Sequence, residues 1–189
     1  MIPRKKSSEA CFMPTFLVFY IQPATGWHRL ADIVFSRGAA MNVWIFQDAP
    51  GTNLADKMRD YPEGTLTWWH VDRYFSENAS PRIAVGDMVL LWQPYLDDIS
   101  PAGVHAVAQV TGEPYWPPGE KGKWRRINIR IAKVLSEPVT RAEIREAQAP
   151  DLLQMLIMRM AAGHIVFPVK PAAWEALKRL NKELKTIVR

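Results

Sequence analysis

The chain has 189 residues, of which 48% are hydrophobic and 23% are charged, a composition typical of one globular domain with a buried core. Its single cysteine, Cys11, excludes an internal disulfide framework and a cysteine-rich metal site, and it fits a reducing cytoplasm. The formal net charge is only +5, so any nucleic-acid binding must come from a local site and not from a uniformly basic surface.

Residues 1–40 differ in pattern from the rest of the chain. They carry five basic and two acidic residues and show no sustained hydrophobic period, and Ser36–Ala40 has the composition of a linker. The apolar run at 12–21 contains Pro14 and lacks a small-residue cleavage site, and no run is long enough to span a membrane. We therefore predict a cytoplasmic domain over 41–189 and an N-terminal extension over 1–40, which either packs against the domain or reflects a misassigned start codon.

From Met41 onward the pattern predicts mainly strands. Apolar or alternating runs predict strands at 43–47, 68–71, 88–93, 103–110 and 127–135, with extended chain at 167–169. Helical spacing predicts short helices at 54–59, 141–147, 152–160 and 172–184, the last with an apolar stripe of Trp174, Leu177, Leu180 and Leu184. Five or six strands that do not alternate regularly with helices favour an α+β fold, a small mixed barrel with peripheral short helices.

Motifs for catalysis and for metal binding are missing from the sequence. There is no glycine-rich phosphate loop, no HExxH and no GxSxG, and the four histidines have no ligand spacing. Adjacent carboxylates such as Asp97-Asp98 are usually turn residues, and His105 within VHAVAQV is usually a satisfied strand histidine. The sequence predicts a non-catalytic protein without cofactor or metal. An enzyme that acts on a flipped base or a nucleotide through Asp98 or His105 is the alternative.

Tryptophan is the most informative residue type, with eight copies. Trp44 and Trp174 lie on patterned faces and are predicted to pack in the core. Trp116 and Trp124 stand near the two ends of YWPPGEKGKW, which Arg125-Arg126 follows. Indoles stack on bases and arginines hold phosphates, so this segment fits nucleic-acid binding. It fits equally well a hydrophobic cover over the mouth of the barrel.

Residues 41–180 resemble the EVE family, a branch of the PUA-like superfamily that is related to YTH domains. The matching segments come in the family's order: VWIFQ at 43–47, WHV at 69–71, IAVGDMVLLW at 83–92, AGVHAVAQV at 102–110, GHIVFPV at 163–169 and WEALKRL at 174–180. The GD-x-V-L-L-W segment followed at this spacing by AG-V-x-x-V-A-x-V is the most specific part of the resemblance.

The resemblance implies a PUA-like barrel whose pocket receives one modified base flipped out of DNA or RNA. By position, Trp69 and Trp124 match the walls of an aromatic cage and Trp92 its floor. Polar contacts to the base would come from Gln47, Asp48, Thr67 and His70. The chemistry of Arg125 and Arg126, beside Trp124, suits them to hold phosphates. Because neighbouring side chains of a strand point to opposite faces, we expect Trp68 to pack into the barrel while Trp69 lines the pocket.

An aromatic cage would distinguish a methylated base from a plain base through the methyl group. It adds apolar surface, and burial against indole recovers roughly 0.8 kcal/mol per CH₂-sized group in addition to stacking. Gln47-Asp48 and His164-Ile165 differ from the pattern of the family that the chain resembles, and these differences leave the identity of the base open. A protein-interaction module that binds a peptide or a partner in its cleft is a further alternative.

Overall fold

The computed structural model describes residues 41–48, 53–72, 74, 76, 78–94, 101–119, 124–159 and 165–187. The predictions for residues 1–40, for Asp97-Asp98 and for His164 lie outside these residues. The division of the chain at residue 41 therefore stays a prediction.

Six strands form one mixed sheet: β1 (Val43–Gln47), β2 (Leu66–Val71), β3 (Met88–Gln93), β4 (Gly103–Val110), β5 (Arg125–Thr140) and β6 (Val166–Val169). Their spatial order is β2-β5-β4-β3-β1-β6, with β1 parallel to β3 and the other neighbours antiparallel. Trp69 of β2 donates its indole N–H to the carbonyl of Gln47 in β1 at 3.3 Å, although three strands separate β2 from β1 in the sheet. The sheet is therefore curled towards a barrel, which confirms the predicted fold class.

The helices are short and peripheral: α1 (Leu54–Asp60), α2 (Arg141–Glu146), α3 (Pro150–Leu153), α4 (Leu156–Arg159), α5 (Pro171–Leu180) and α6 (Lys182–Thr186). The single helix predicted at 152–160 is wrong, because α3 and α4 are separate turns. The helix predicted at 172–184 also breaks, at Asn181, whose extended backbone and side-chain oxygen cap α6 through the N–H groups of Glu183 and Leu184. Leu180 lies at this break and is 38% exposed, so it leaves the predicted buried stripe.

Each face of the sheet packs on its own hydrophobic cluster. The helix-covered cluster joins strand residues such as Ile45, Leu90 and Val104 to residues of α2–α6 such as Ile144, Trp174 and Leu177. The inner cluster fills the curl of the sheet and includes Trp44, Phe46, Leu91, Ile127, Ile129 and, from α1, Leu54 and Met58. The predicted core packing of Trp44 and Trp174 is confirmed.

Strand β5 is longer than the predicted 127–135 and passes from one cluster to the other. Its first half pairs with β2, with Trp69 opposite Ile127, and its residues up to Thr140 pair with β4. Two irregularities in the β4–β5 ladder shift the register. As a result Ile131 belongs to the inner cluster whereas Leu135 belongs to the helix-covered cluster. No residue of β2 belongs to the helix-covered cluster among the described residues.

Candidate nucleic-acid interface

The two adjacent tryptophans of β2 lie on opposite faces of the sheet. Trp69 is 4% exposed and part of the inner cluster, whereas Trp68 is 42% exposed. The prediction that Trp68 packs into the barrel is therefore wrong. The register explains the outcome: Trp69 stands opposite Ile127, which is fully buried, and Trp68 stands opposite Asn128, which is exposed.

A buried acid and an indole meet at the carboxyl end of β1. Asp48 exposes 7% of its side chain, and the ammonium of Lys57 lies 3.3 Å from its Oδ1 atom. The same ammonium lies 4.2 Å from the ring centroid of Trp69, within the range of a cation–π contact. Gln47 contributes its backbone carbonyl, which accepts the indole N–H of Trp69. We call Gln47, Asp48, Lys57 and Trp69 the inner site. Three of them are predicted site residues that the structure brings together.

Lys57 is the residue of the inner site that sequence reasoning missed. It lies on α1, whose first residue Leu54 donates its backbone N–H to the side-chain oxygen of Gln93. Gln93 is fully buried at the end of β3 and its amide nitrogen donates to the carbonyl of Pro94 at 2.9 Å. This buried glutamine fixes the start of α1, and Lys57 follows one helical turn later. A lysine on a short helix is usually solvated, so its sequence context gives no signal.

The side chains of three other predicted residues lie outside the inner site, although the carbonyl of Trp92 accepts the backbone N–H of Asp48 at 3.0 Å. Trp92 is 3% exposed and packs in the helix-covered cluster, since the alternation along β3 places it with Leu90. It does not floor a pocket beside Trp69, and that prediction is wrong. His70 is exposed, and its ring lies 5.0 Å from the ring of Trp68 between centroids, at an interplanar angle of 60°. Thr67 is half-buried and lines a groove beside Trp68.

The start of β5 carries the remaining predicted residues. Trp124 is half-buried immediately before the strand, and its role as the second wall of a cage stays a prediction. The two arginines that follow contact different tryptophans. The guanidinium of Arg125 lies 5.3 Å from the ring of Trp116, and that of Arg126 lies 4.0 Å from the ring of Trp68. Their phosphate contacts stay predictions.

His105 is a structural histidine. It is 7% exposed on β4, and its Nε2 lies 2.9 Å from the carbonyl oxygen of Pro101. Burial lowers the pKa of its imidazole, an effect that the hydrogen bond to Pro101 partly opposes. The prediction of a satisfied strand histidine is confirmed. Asp98, the other candidate residue of the enzyme alternative, lies outside the described residues.

Two wider properties of the described residues bear on function. Within the ranges that the structure describes, no three His, Cys, Asp or Glu side chains come together where they would hold a metal ion. None of the helices described above is long and apolar enough to cross a membrane.

Comparisons with known proteins agree with the resemblance read from the sequence. The sequence model of the EVE domain matches residues 42–180, whereas no curated protein gives a significant match. A solved hypothetical protein from Leishmania major has a TM-score of 0.56 and 18% identity, over 77% of this chain and 97% of its own. A Pseudomonas syringae protein has a TM-score of 0.54 and 17% identity, over 73% and 98%.

Human THYN1, solved in complex with 5-methylcytosine-containing DNA, has a TM-score of 0.54 and 13% identity, over 78% of this chain and 98% of its own. At such identities the likeness shows the fold alone. Together with the curled six-stranded sheet it confirms the predicted PUA-like α+β architecture.

Proposed function

Because the chain belongs to the EVE domain family, we propose that it is a non-catalytic nucleic-acid-binding module that holds one flipped, modified base at the inner site. The observation that carries the proposal is the convergence of a buried carboxylate, an ammonium and an indole at the end of β1. The human structure with 5-methylcytosine-containing DNA supports a methylated cytosine as the first base to test.

The chemistry of the inner site suits a base that carries an exocyclic amino group. The carboxylate of Asp48 accepts hydrogen bonds only, and a cytosine-like or adenine-like edge donates them. Hydrogen bonds to a charged group in a buried place contribute about 1.5–3 kcal/mol each. Asp48 would therefore select the amino-bearing edge of the base, while Trp69 offers the flat apolar surface against which a methyl group is buried.

Lys57 acts as a removable cover of Trp69 in this proposal. An ammonium over an indole contributes roughly 0.5–2 kcal/mol, and a base stacked on an aromatic side chain contributes about 1–3 kcal/mol. The two contributions are of similar size, so the exchange costs little when the amino group of the base also takes the place of the ammonium beside Asp48. Lys57 sits on a flexible stem that is 31% exposed, so its ammonium is able to swing towards a phosphate when the base enters.

Trp124, Arg125 and Arg126 complete the proposed site from the start of β5. Trp124 would form the second wall of the cage, and the arginines would neutralise phosphates on either side of the flipped nucleotide. Since flipping a base out of a duplex costs a few kcal/mol, single strands should bind more tightly than duplexes of the same sequence.

The test compares oligonucleotides that differ in one methyl group. Single strands with one central cytosine or 5-methylcytosine, made as DNA and as RNA, are titrated and followed by fluorescence anisotropy. The wild type should prefer the methylated strand by roughly fourfold or more, the factor that one buried methyl supplies. Asp48→Asn should weaken binding of the methylated strand by about tenfold or more.

The matched control is Asp151→Asn, the same chemical change at an exposed acid on α3. It should leave the affinities unchanged. Equal affinity of the wild type for methylated and plain strands, in both DNA and RNA, would defeat the proposal.

A further inference from the structure

The outer surface of β2 and the first half of β5 combines aromatic and basic side chains. We define the outer face by Leu66, Trp68 and His70 of β2 and by Arg126, Asn128 and Arg130 of β5, which the register places together. Leu66 is 60% exposed and Trp68 is 42% exposed. We infer that this face is a second nucleic-acid site, which binds unmodified single-stranded nucleotides by stacking and charge.

The indole of Trp68 is held as a platform. The guanidinium of Arg126 lies 4.0 Å from its ring centroid, and the His70 ring meets it edge-on at 5.0 Å. These two contacts fix the orientation of an indole that remains 42% exposed. Exposed aromatic platforms flanked by arginine are the elements with which proteins bind single strands without reading sequence.

A groove of about 470 Å³ lies beside this platform. It is lined by Leu66, Thr67, Trp68, Thr111, Asn128 and Arg130, none of them acidic. Its volume falls within the range of small-ligand sites, ~300–1,000 Å³. The nearby acid Glu113 already forms an ion pair with Arg82 at 3.2 Å. The charge of the groove is therefore basic and complementary to a phosphate backbone, not to a basic peptide.

The position of β2 connects the outer face to the inner site. β2 is the first strand of the sheet order, so its far edge pairs with no other strand of the described sheet. Trp68 and Trp69 are neighbours on its two faces. A flexible strand with one nucleotide at Trp69 would pass over this edge and lay its next nucleotides on Trp68, a path that a stiff duplex does not follow. The outer face thus favours a single strand.

The proposal shares with the proposed function the premise that the partner is nucleic acid, but it needs no modified base. Its test therefore uses unmodified oligonucleotides. Twelve-residue oligothymidine and oligouridine are titrated by fluorescence anisotropy at several salt concentrations against the wild type, Trp68→Ala and Arg130→Ala. Comparison of the two oligonucleotides shows whether the outer face binds single-stranded DNA or RNA.

Trp68→Ala should weaken binding of the preferred oligonucleotide by about tenfold, the effect of losing one base stack. Arg130→Ala should lower the slope of log affinity against log salt by about 0.7, the value for one phosphate contact on a single strand. The controls are Leu180→Ala and Arg179→Ala, exposed positions on α5, which should change neither quantity. Thermal melts of all variants verify that each is folded.

The possible outcomes test the outer face separately from the proposed base pocket at the inner site. Weaker binding of the 5-methylcytosine strand by Asp48→Asn, with normal binding of oligothymidine and oligouridine, concerns the inner site alone. Unchanged affinity and salt slope in Trp68→Ala and Arg130→Ala would overturn the outer-face proposal, and would leave that face to a protein partner. Absence of any wild-type binding to both plain oligonucleotides would overturn it as well.

Discussion

Trp68 and Trp69 are chemically identical neighbours in two different environments. Trp69 is buried, donates its indole N–H to Gln47 and lies under the ammonium of Lys57. Trp68 is almost half exposed and is held by Arg126 and His70. Both rings carry a cation on one face, and the cation over Trp69 also neutralises the buried carboxylate of Asp48.

The difference shows how an edge strand presents two surfaces from one sequence motif. Period-two alternation sends one indole into a low-dielectric site, where polar contacts are strong and shape is restricted. It sends the other into solvent, where stacking and charge act without selection for a modified base. The proposed base-specific site and the proposed base-independent site therefore lie one residue apart.

Stability measurements provide the largest expected contrast between the two tryptophans. Trp69→Ala removes a buried indole and its hydrogen bond and should lower the free energy of unfolding by about 3–5 kcal/mol. Trp68→Ala removes an exposed ring and should lower it by about 0.5–1 kcal/mol. Urea titrations followed by circular dichroism measure both values. Similar losses in the two variants would show that the faces of β2 do not differ as described.

A smaller effect is expected where β5 leaves β2 and approaches α6. Glu183 of α6 accepts hydrogen bonds from the hydroxyl and backbone N–H of Ser136 at 2.6 and 2.9 Å. It also pairs with Lys133, which Glu63 contacts from the other side. The Ser136 hydroxyl, ahead of the backbone N–H and Lys133, holds the pKa of Glu183 below its ordinary value of 4.5. At neutral pH Glu183→Gln should cost roughly 1 kcal/mol, since the group is partly solvated.

The sign of the pH dependence follows from the lowered pKa. The stabilisation by ionised Glu183 is present above the pKa of the unfolded chain and is lost as pH falls through the lower pKa of the folded protein. The melting temperatures of wild type and Glu183→Gln should therefore differ by about 2–4 °C at pH 7 and converge below the ordinary pKa of 4.5. Glu146→Gln, at an exposed acid on α2, is the control. A difference that stays constant with pH would contradict the assignment to the carboxylate.

Strand positions were predictable where both faces of a strand are buried. The runs at 43–47, 88–93 and 103–110 are buried along nearly their whole length, and continuous apolar sequence marks such strands directly. The breaks in the helical segments could not be predicted from the sequence pattern. Asn181 allows a helix by propensity, and only its capping bond to the next turn shows that α5 ends there.

The sequence predicted some residues of the inner site and missed others. The resemblance points to Gln47, Asp48 and Trp69, and the curl of the sheet brings them together. The orientation of the Trp68-Trp69 pair was not predictable, because alternation separates two neighbours without saying which faces inward. The register with Ile127 decides that, and register depends on contacts between distant segments. Lys57 was missed for the same reason, since its contact with Asp48 depends on where α1 packs.

The most direct test follows the indole N–H signals of the protein by NMR, assigned through Trp→Phe variants, during titration with matched single strands. With the 5-methylcytosine strand, the Trp69 signal should shift strongly as the base enters and Lys57 leaves, and the Trp68 signal should shift as well. With the plain strand at equal concentration below saturation, the Trp68 signal should shift as before and the Trp69 signal less, by about the fourfold difference in affinity. A Trp69 signal that stays in place while the methylated strand binds would contradict the account.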